Sequence, residues 1–421
     1  MGDSKSPRVC LHTHGCKLNQ AESETLALQL AEIGCSLVDD GPADVMLLNT
    51  CTVTHIADRK ARQWLRQARR QNPDSLIIAM GCYVERAAAE FDNPGIDLMC
   101  DNQDKARLGR LIADRLGFPK PSNTVYYTHP QVRTRSFVKI QDGCHGSCTY
   151  CIVPKVRPKV HSEPPDQVVG EIDRRVALGY KEVVLTGTEI GNYHHQTDNL
   201  ANLVRRILNE TSIERLRLSS LQPSHVTPEM LVLWQDSRLA RHFHIALQSG
   251  CNATLTTMRR RYSRNMYRET LNLIREHVPD AAITTDLIVG FPGESDRDFT
   301  ESCAFVESCG FSAVHVFPFS PRPGTVAASM SHQIPALEKR ERTLKALSLA
   351  RILARRSRES AVGSVQEVLW ETETSPGNGI YSGFTSNYHR VFTKSGKTIT
   401  NLLLPTRLIR HDMNHLWGEL I

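Results

Sequence analysis

An α/β chain in three parts is predicted: an N-terminal parallel-sheet α/β domain, a central partial (βα)6 barrel and a C-terminal small β-barrel. Three observations predict it. Short β-rich runs alternate with helical patterns at the start, six strand candidates fill the middle, and alternating segments with Gly-rich turns close the chain. The first domain, residues 1–116, holds the runs VCLHTH, DVMLLNT, SLIIAM and IDLMC between helical stretches. Asn19 with Glu22 three places on predicts an N-terminal capping box for the first helix, and Gly34 ends it. Residues 117–131, GFPKPSNTVYYTHPQ, are rich in Pro and polar residues and predict a linker. Residues 132–358 carry the strand candidates SFVKI, EVVLTG, RLRLSS, FHIALQ, AITTDLIVG and AVHVFPF, followed by a basic helical run. Six βα units are too few for an eight-fold barrel and enough for an open one. Residues 359–421 hold VQEVLWE, SGFTSNYHRVFT and ITNLLLP, which predict the small barrel.

Composition narrows the function classes. Lys plus Arg number 51 against 45 Asp plus Glu, and the net charge of +6 mildly favours an anionic partner. No run approaches ~18 apolar residues, and the polar start MGDSKSPRV lacks a secretion pattern, so no membrane partner and a cytoplasmic location are expected. Twelve cysteines in such a chain are expected to be reduced, which directs attention to metal, redox chemistry and core packing.

The loop GCHGSCTYC follows the first barrel strand, where βα barrels place their chemistry. It holds Cys144, Cys148 and Cys151. A structural zinc site wants four closed ligands, and His145 is poorly spaced to be the fourth. Soft thiolates also suit iron–sulfur clusters, with Gly143 and Gly146 letting the backbone wrap a cube. Three ligands leave one iron of a four-iron cube open. This spacing at the head of a partial barrel resembles the radical S-adenosylmethionine (SAM) enzymes, which implies a [4Fe–4S] cluster and bound SAM.

The same resemblance implies cofactor contacts elsewhere. TGTEIG, ending the second strand, is similar to the element that receives the methionyl amino group, with Thr186, Gly187 and Glu189 as candidates. DLIVGFPGE carries Ile288, Gly290, Gly293 and Glu294 in the pattern that lets adenine approach the backbone. Arg217, Ser219 and Gln248, on intervening strands, are expected to face the same mouth, and Tyr150 to cover the cluster or adenine.

In the first domain Cys16, Cys51 and Cys82 each follow a predicted strand by a residue or two. The carboxyl ends of neighbouring strands form the ligand crevice of an open α/β sheet. Three thiols delivered there predict a second metal site, assembled across the sheet. Gly15, Thr50 and Gly81, which precede them, argue for exposed turns rather than core.

Two three-cysteine sites, a partial barrel and a β tail together resemble the methylthiotransferases over essentially the whole chain, and imply two [4Fe–4S] clusters with SAM. HGCKLNQAESE, RLSSLQP, LQSGCNATLTTMRRRYS and HVFPFSPRPGTVAASM are similar to the branch that modifies threonylcarbamoyladenosine in tRNA. Relatives usually carry RGxxRSR where this chain reads RPKVHSE, so Arg157 and Ser162 remain while two arginines are absent. Gln222 stands where the branch commonly has glutamate.

What the resemblance implies chemically is a methylthio group added to carbon 2 of N6-threonylcarbamoyladenosine at position 37, beside the anticodon. The loop cluster, reduced by a low-potential donor such as flavodoxin or ferredoxin, would cleave SAM to a 5′-deoxyadenosyl radical. A sulfur donor would feed the second cluster. The tRNA anticodon stem-loop would meet Arg259, Arg260, Arg261 and Tyr262 in MRRRYSRNMYR, whose arginines and tyrosines suit phosphates and stacked bases. In this family the tail is a TRAM domain, whose pattern Asn387, Tyr388 and Arg390 resemble. Two alternatives keep the chemistry but move it to isopentenyladenosine or to an aspartate of a ribosomal protein. A third is a zinc-dependent RNA-binding module without catalysis.

Overall fold

A computed structural model describes residues 6–91, 95–117 and 134–421, so the linker predicted at 117–131 lies, but for Gly117, outside the described residues. The chain divides into two compact units. The first holds the described residues up to 117 together with 142–146 and 151–161, and the second holds 134–141, 147–150 and 162–421.

The first unit is a five-stranded parallel sheet. Its strands are Arg8–Thr13, Ser36–Val38, Val45–Thr50, Leu76–Gly81 and Leu98–Cys100, with the first strand between the second and third. Helices cover both faces, which is why Val45–Thr50 is buried at every position and shows no alternation. The short edge strand Ser36–Val38 was not predicted, because three half-buried residues carry no periodic signal. The first helix, Lys17–Glu32, begins earlier than the Asn19–Glu22 box implied. Its N-cap is Cys16, and Asn19 occupies the third helical position, returning its side chain to the Cys16 N–H. Gly34, at φ +90°, follows the helix end as expected.

The second unit begins with six parallel strands: Arg135–Lys139, Glu182–Thr186, Arg215–Leu218, His242–Ile245, Ala282–Val289 and Ala313–Pro318. The third continues through Ser220–Leu221, which pairs with the fourth and joins the two halves. Val138, Val183, Leu185, Leu216, Phe243, Ile283 and Leu287 pack under the helices in one core. The residues between them therefore line the concave face.

That concave face is closed at its amino end by the tail. Val365–Glu373, Ile380–Thr385, Arg390–Lys394, Leu403–His411 and Leu416–Leu420 form a closed five-stranded barrel. Its turn Ser386–His389 inserts against the sheet. Glu182, fully buried, accepts from Arg217 Nε at 2.8 Å and pairs with Arg135 Nε at 2.9 Å and Arg215 Nη1 at 3.5 Å. Arg215 and Arg217 donate onward to the carbonyls of Phe384 and Ser386, and Tyr388 lies 4.5 Å under the Arg217 guanidinium. Burial opposes ionisation of Glu182, but the three arginines outweigh it and hold its carboxyl far below the usual range.

His389 in the same turn is half-buried beside Ser357 and near Arg358, and desolvation first, then Arg358, lowers its imidazole from 6.5 to about 4. The unfolded chain takes up that proton at higher pH than the folded one. Stability from this group is thus complete above about pH 6.5 and drains away as pH falls towards 4, by no more than about 3 kcal/mol. Urea midpoints recorded across that window should slope, and His389→Gln should flatten the slope.

Candidate metal centres and the barrel mouth

The three strand-end cysteines of the first unit come together. Cys16 caps the first helix, Cys51 follows Val45–Thr50, and Cys82 opens the helix Cys82–Ala87 directly after Leu76–Gly81. Each thiol lies within electrostatic range of the others: burial pushes Cys51 up to about 12, helped by Cys16 and Cys82. Cys16 keeps solvent access, yet the atoms packed round its sulfur, and then Cys82, raise it as well. Three thiols crowded together gain from a cation that replaces their protons. The donor set therefore fits a thiophilic metal or cluster.

A buried amide network holds these strand ends in place. Asn19 Nδ2 donates to Asn49 Oδ1 at 3.0 Å and Thr50 O at 3.2 Å, while Asn49 Nδ2 returns to Asn19 O at 2.9 Å. Thr50 Oγ1 donates to Met80 O at 2.6 Å. Gly81 sits at φ +104°, ψ −166°, a region open essentially to glycine alone, and a Cβ there would lie 2.5 Å from Thr50 O. Gly81→Ala should cost at least about 1–3 kcal/mol from the backbone alone. Chemical denaturation would measure the loss.

Arg157, in the segment after the cysteine loop, supplies the charge at this site. Its Nε donates to Cys82 Sγ at 3.3 Å, and its Nη atoms reach Glu22 at 2.8 and 3.0 Å and Asp142 at 2.7 Å. Burial disfavours the cation, but Cys82, Glu22 and Asp142 together hold it well above its ordinary value. Lys105 also pairs with Glu22, and the two cations overcome burial to keep that carboxyl at about 2. Arg157, retained where two neighbouring arginines are absent, faces a sulfur. Asn102 Nδ2, 3.8 Å from the same sulfur, was missed, since nothing local marks it. Ser162, the other retained residue, accepts from His194 N at 3.1 Å.

The loop 143–151 is apportioned between the units, with Cys144 and Cys151 in the first and Cys148 and Tyr150 in the second. Within the first, Gly143 at φ +75° passes so close to Lys159 O that a Cβ would lie 2.0 Å away, and Gly146 N donates to Cys144 Sγ at 3.1 Å. Backbone N–H groups aimed at sulfur suit a cluster ligand.

Within the second unit, Cys148 heads a chain of polar contacts at the carboxyl ends of the strands. Arg260 Nη1 donates to Cys148 Sγ at 3.3 Å and lies 3.5 Å from Tyr150 Oη; its Nη2 donates to Gln222 Oε1 at 3.3 Å. Gln222 Nε2 donates in turn to Glu189 Oε1, and Glu189 N to Gln141 Oε1 at 2.8 Å. An amide at position 222 can serve both neighbours, donating to one and accepting from the other. Thr186 ends the second strand, and Gly187 passes Gln141 O with no room for a Cβ. Ser219 joins Arg215–Leu218 to Ser220–Leu221, and Gln248, at φ +67°, bridges the fourth strand to Asp286 and Ile288 of the fifth. Ile288 and Tyr150 pack with Met258, Phe291 and Phe319 as an apolar wall.

Six candidate residues are placed elsewhere than expected. Arg217 lies on the barrel floor against Glu182, because its long side chain reaches down to the buried carboxylate. Glu294 turns back to accept from Gly290 N at 2.8 Å and Arg342 Nη1 at 3.0 Å, so it fixes the Gly290 turn. Gly290 itself, at φ +72°, makes room for the Lys339 stem, while Gly293, at φ +80°, has open space beside it. Tyr262 is buried, donating to the Ala246 and Leu247 carbonyls, and Arg260 is drawn inward to Cys148. Asn387 and Tyr388 form the turn under the barrel. Arg259, Arg261 and Arg390 remain exposed.

This geometry has known relatives. A family profile described as the Radical SAM superfamily matches residues 138–306, and one described as Uncharacterized protein family UPF0004 matches residues 8–100. The "Threonylcarbamoyladenosine tRNA methylthiotransferase MtaB" of Bacillus subtilis (strain 168) is 35% identical, spanning 98% of this chain and 96% of that one. The chain belongs to the radical SAM methylthiotransferase family. A second member, the "tRNA-2-methylthio-N(6)-dimethylallyladenosine synthase" of Syntrophomonas wolfei, is 31% identical over 100% of this chain and 99% of its own. In fold, the radical SAM methyltransferase TsrM of Kitasatospora setae superposes with a TM-score of 0.56 at 16% identity, covering 77% of this chain and 74% of that one. As a radical SAM methylthiotransferase the chain is an enzyme that uses SAM and a [4Fe–4S] cluster, which sets aside the zinc-module reading. Among the described residues no helix is long and apolar enough to cross a membrane.

Proposed function

We propose that this enzyme adds a methylthio group to carbon 2 of N6-threonylcarbamoyladenosine at position 37 of tRNA. The observation that carries the reading is likeness over nearly the whole chain to a protein named for that activity, at 35% identity. Dimethylallyladenosine, named for the relative at 31%, is the second reading.

Cys144, Cys148 and Cys151 would hold the SAM-binding cluster, and Cys16, Cys51 and Cys82 a second [4Fe–4S] cluster. When bound, these groups and SAM supply the electron, the carbon radical and the sulfur that an adenine C–H of no useful acidity requires. The chain's own residues bind and orient. Glu189 offers a carboxylate for the methionyl ammonium, and Arg260 a guanidinium for its carboxylate, with Gln222 fixing the spacing between them. Tyr150, Ile288 and Phe291 provide an apolar wall that keeps water from a radical. Asn19 and Asn49 keep the three strand ends in register. The exposed Arg259, Arg261 and Arg390 are left to meet phosphates of the anticodon stem-loop. A low-potential protein such as flavodoxin or ferredoxin would supply electrons, and a separate donor the sulfur.

Nucleoside mass spectrometry of tRNA from cells with and without the gene tests the assignment. Loss of the methylthio form of threonylcarbamoyladenosine is expected. Loss confined to the dimethylallyl nucleoside would replace the substrate, and unchanged tRNA would refute both.

A further inference from the structure

On the concave face of the central sheet, between floor and mouth, His244, Asp286 and His315 stand side by side on three neighbouring strands. Asp286 is the direct cross-strand partner of His315. His244 Nε2 lies 3.2 Å from Asp286 Oδ1, and the two imidazoles are 5.9 Å apart between ring centres. The opposite faces of these strands show Phe243, Ile245, Ile283, Leu287 and Val314 to the helices, so packing alone does not explain three polar residues in a row.

The row lies one pleat below the apolar wall. Ile288, two residues beyond Asp286 on the same face, is about 7 Å nearer the strand's carboxyl end and packs against the same Met258–Phe291–Phe319 cluster as Tyr150. Tyr262, which accepts from Arg260 Nε at 3.0 Å, lies within electrostatic range of Asp286. Arg260 in turn touches Cys148. A base held against that wall would point any substituent towards the row.

His244 also has an unused group. It is 8% exposed, and its Nδ1 finds no hydrogen-bond partner among the described residues. A buried polar atom without a partner is unfavourable until something pairs with it. Asp286 is partly open and His315 exposed, so a polar group can reach all three.

We infer that this row receives the N6 substituent of the target adenosine and selects one carrying hydroxyl, amide and carboxylate groups over an apolar prenyl chain. The inference rests on the tRNA methylthiotransferase reading. Asp286 and the open His244 Nδ1, whose ring gives its Nε2–H to Asp286, accept from the hydroxyl and amide N–H of the substituent, and His315 donates to its carbonyl or carboxylate. A prenyl chain strips water from the row and returns no hydrogen bond. Sites built to pair polar groups reject analogues lacking them by up to about 10⁴-fold, far more than apolar pockets discriminate by size.

The test uses anaerobically reconstituted full-length enzyme and fluorescent anticodon stem-loop RNAs bearing threonylcarbamoyl-, dimethylallyl- or unmodified adenosine. The affinity ratio of the threonylcarbamoyl RNA to each of the others is measured for wild type, Asp286→Leu, Asp286→Asn and His315→Leu, the Asn variant being the mildest change to the fold. Both ratios should fall by about fivefold or more in every variant that keeps the wild-type melting temperature. A smaller change overturns the inference, including the case in which all three RNAs weaken in parallel. Wild-type enzyme that methylthiolates threonylcarbamoyl RNA while its variants keep the ratio refutes the row alone. Wild-type enzyme that leaves that RNA unmethylthiolated refutes the parent reading.

Discussion

Cys148→Ala is expected to abolish SAM cleavage outright, while Cys51→Ala retains cleavage and loses transfer of sulfur to RNA. The split follows from the placement of the two trios. Cys148 belongs to the barrel mouth, one contact from Arg260 and two from Gln222. Cys51 belongs to the sheet of the first unit, beside Cys16 and Cys82. Removing one of three thiolates leaves a four-iron cube with two ligands, too few to hold it firmly. Each variant reconstituted without oxygen should carry about four irons where wild type carries about eight. Release of 5′-deoxyadenosine reads the first site and methylthiolated nucleoside the second. Should Cys51→Ala still yield methylthiolated product, the strand-end trio does not hold the sulfur-delivering group.

The second large effect is structural. Glu182→Gln removes the only carboxylate among the described residues that Arg217 meets; Arg135 and Arg215 also pair with it, besides Glu371 and Glu367 respectively. Glu182 and Arg217 are fully buried, so the stranded positive charge cannot be screened by water. Breaking such a pair from one side costs about 3–5 kcal/mol. The loss should appear as a lower denaturation midpoint. Because the same arginines donate to the Phe384 and Ser386 carbonyls, protease cleavage at residues 361–365 should rise as the tail loosens from the sheet. Replacing Glu182 and Arg217 together by Gln and Met should cost less than Glu182→Gln alone, since no unpaired charge remains on that contact.

Much of this was legible in one dimension. The six barrel strands alternate or run apolar for four to eight residues between turn signals, and all six form where the pattern put them. GCHGSCTYC is dense enough to announce a soft-metal site by spacing alone. The strand-end cysteines needed one further inference, that parallel strands bring their carboxyl ends together, and the sheet order places Cys16, Cys51 and Cys82 on adjacent strands. Contacts between distant segments were not legible. Arg260 and Tyr262 read as part of a basic, aromatic RNA-facing run, yet one reaches a cysteine more than a hundred residues away and the other is core. Asn387 and Tyr388 fit an RNA-binding pattern and instead stop the barrel floor. A composition signal cannot tell a cation facing solvent from one facing a buried carboxylate or sulfur.

By itself the sequence determined the element types, the count of barrel strands and the thiols that could hold metal, because periodicity, glycine punctuation and ligand spacing are local properties. Only the tertiary structure decided which way each charged side chain turned. Arg157 faces Cys82, Arg217 faces Glu182, and Asp286 lies between two histidines. The pairing of buried charges depends on which strands become neighbours, and that is fixed by the packing of the whole sheet rather than by any one stretch of chain.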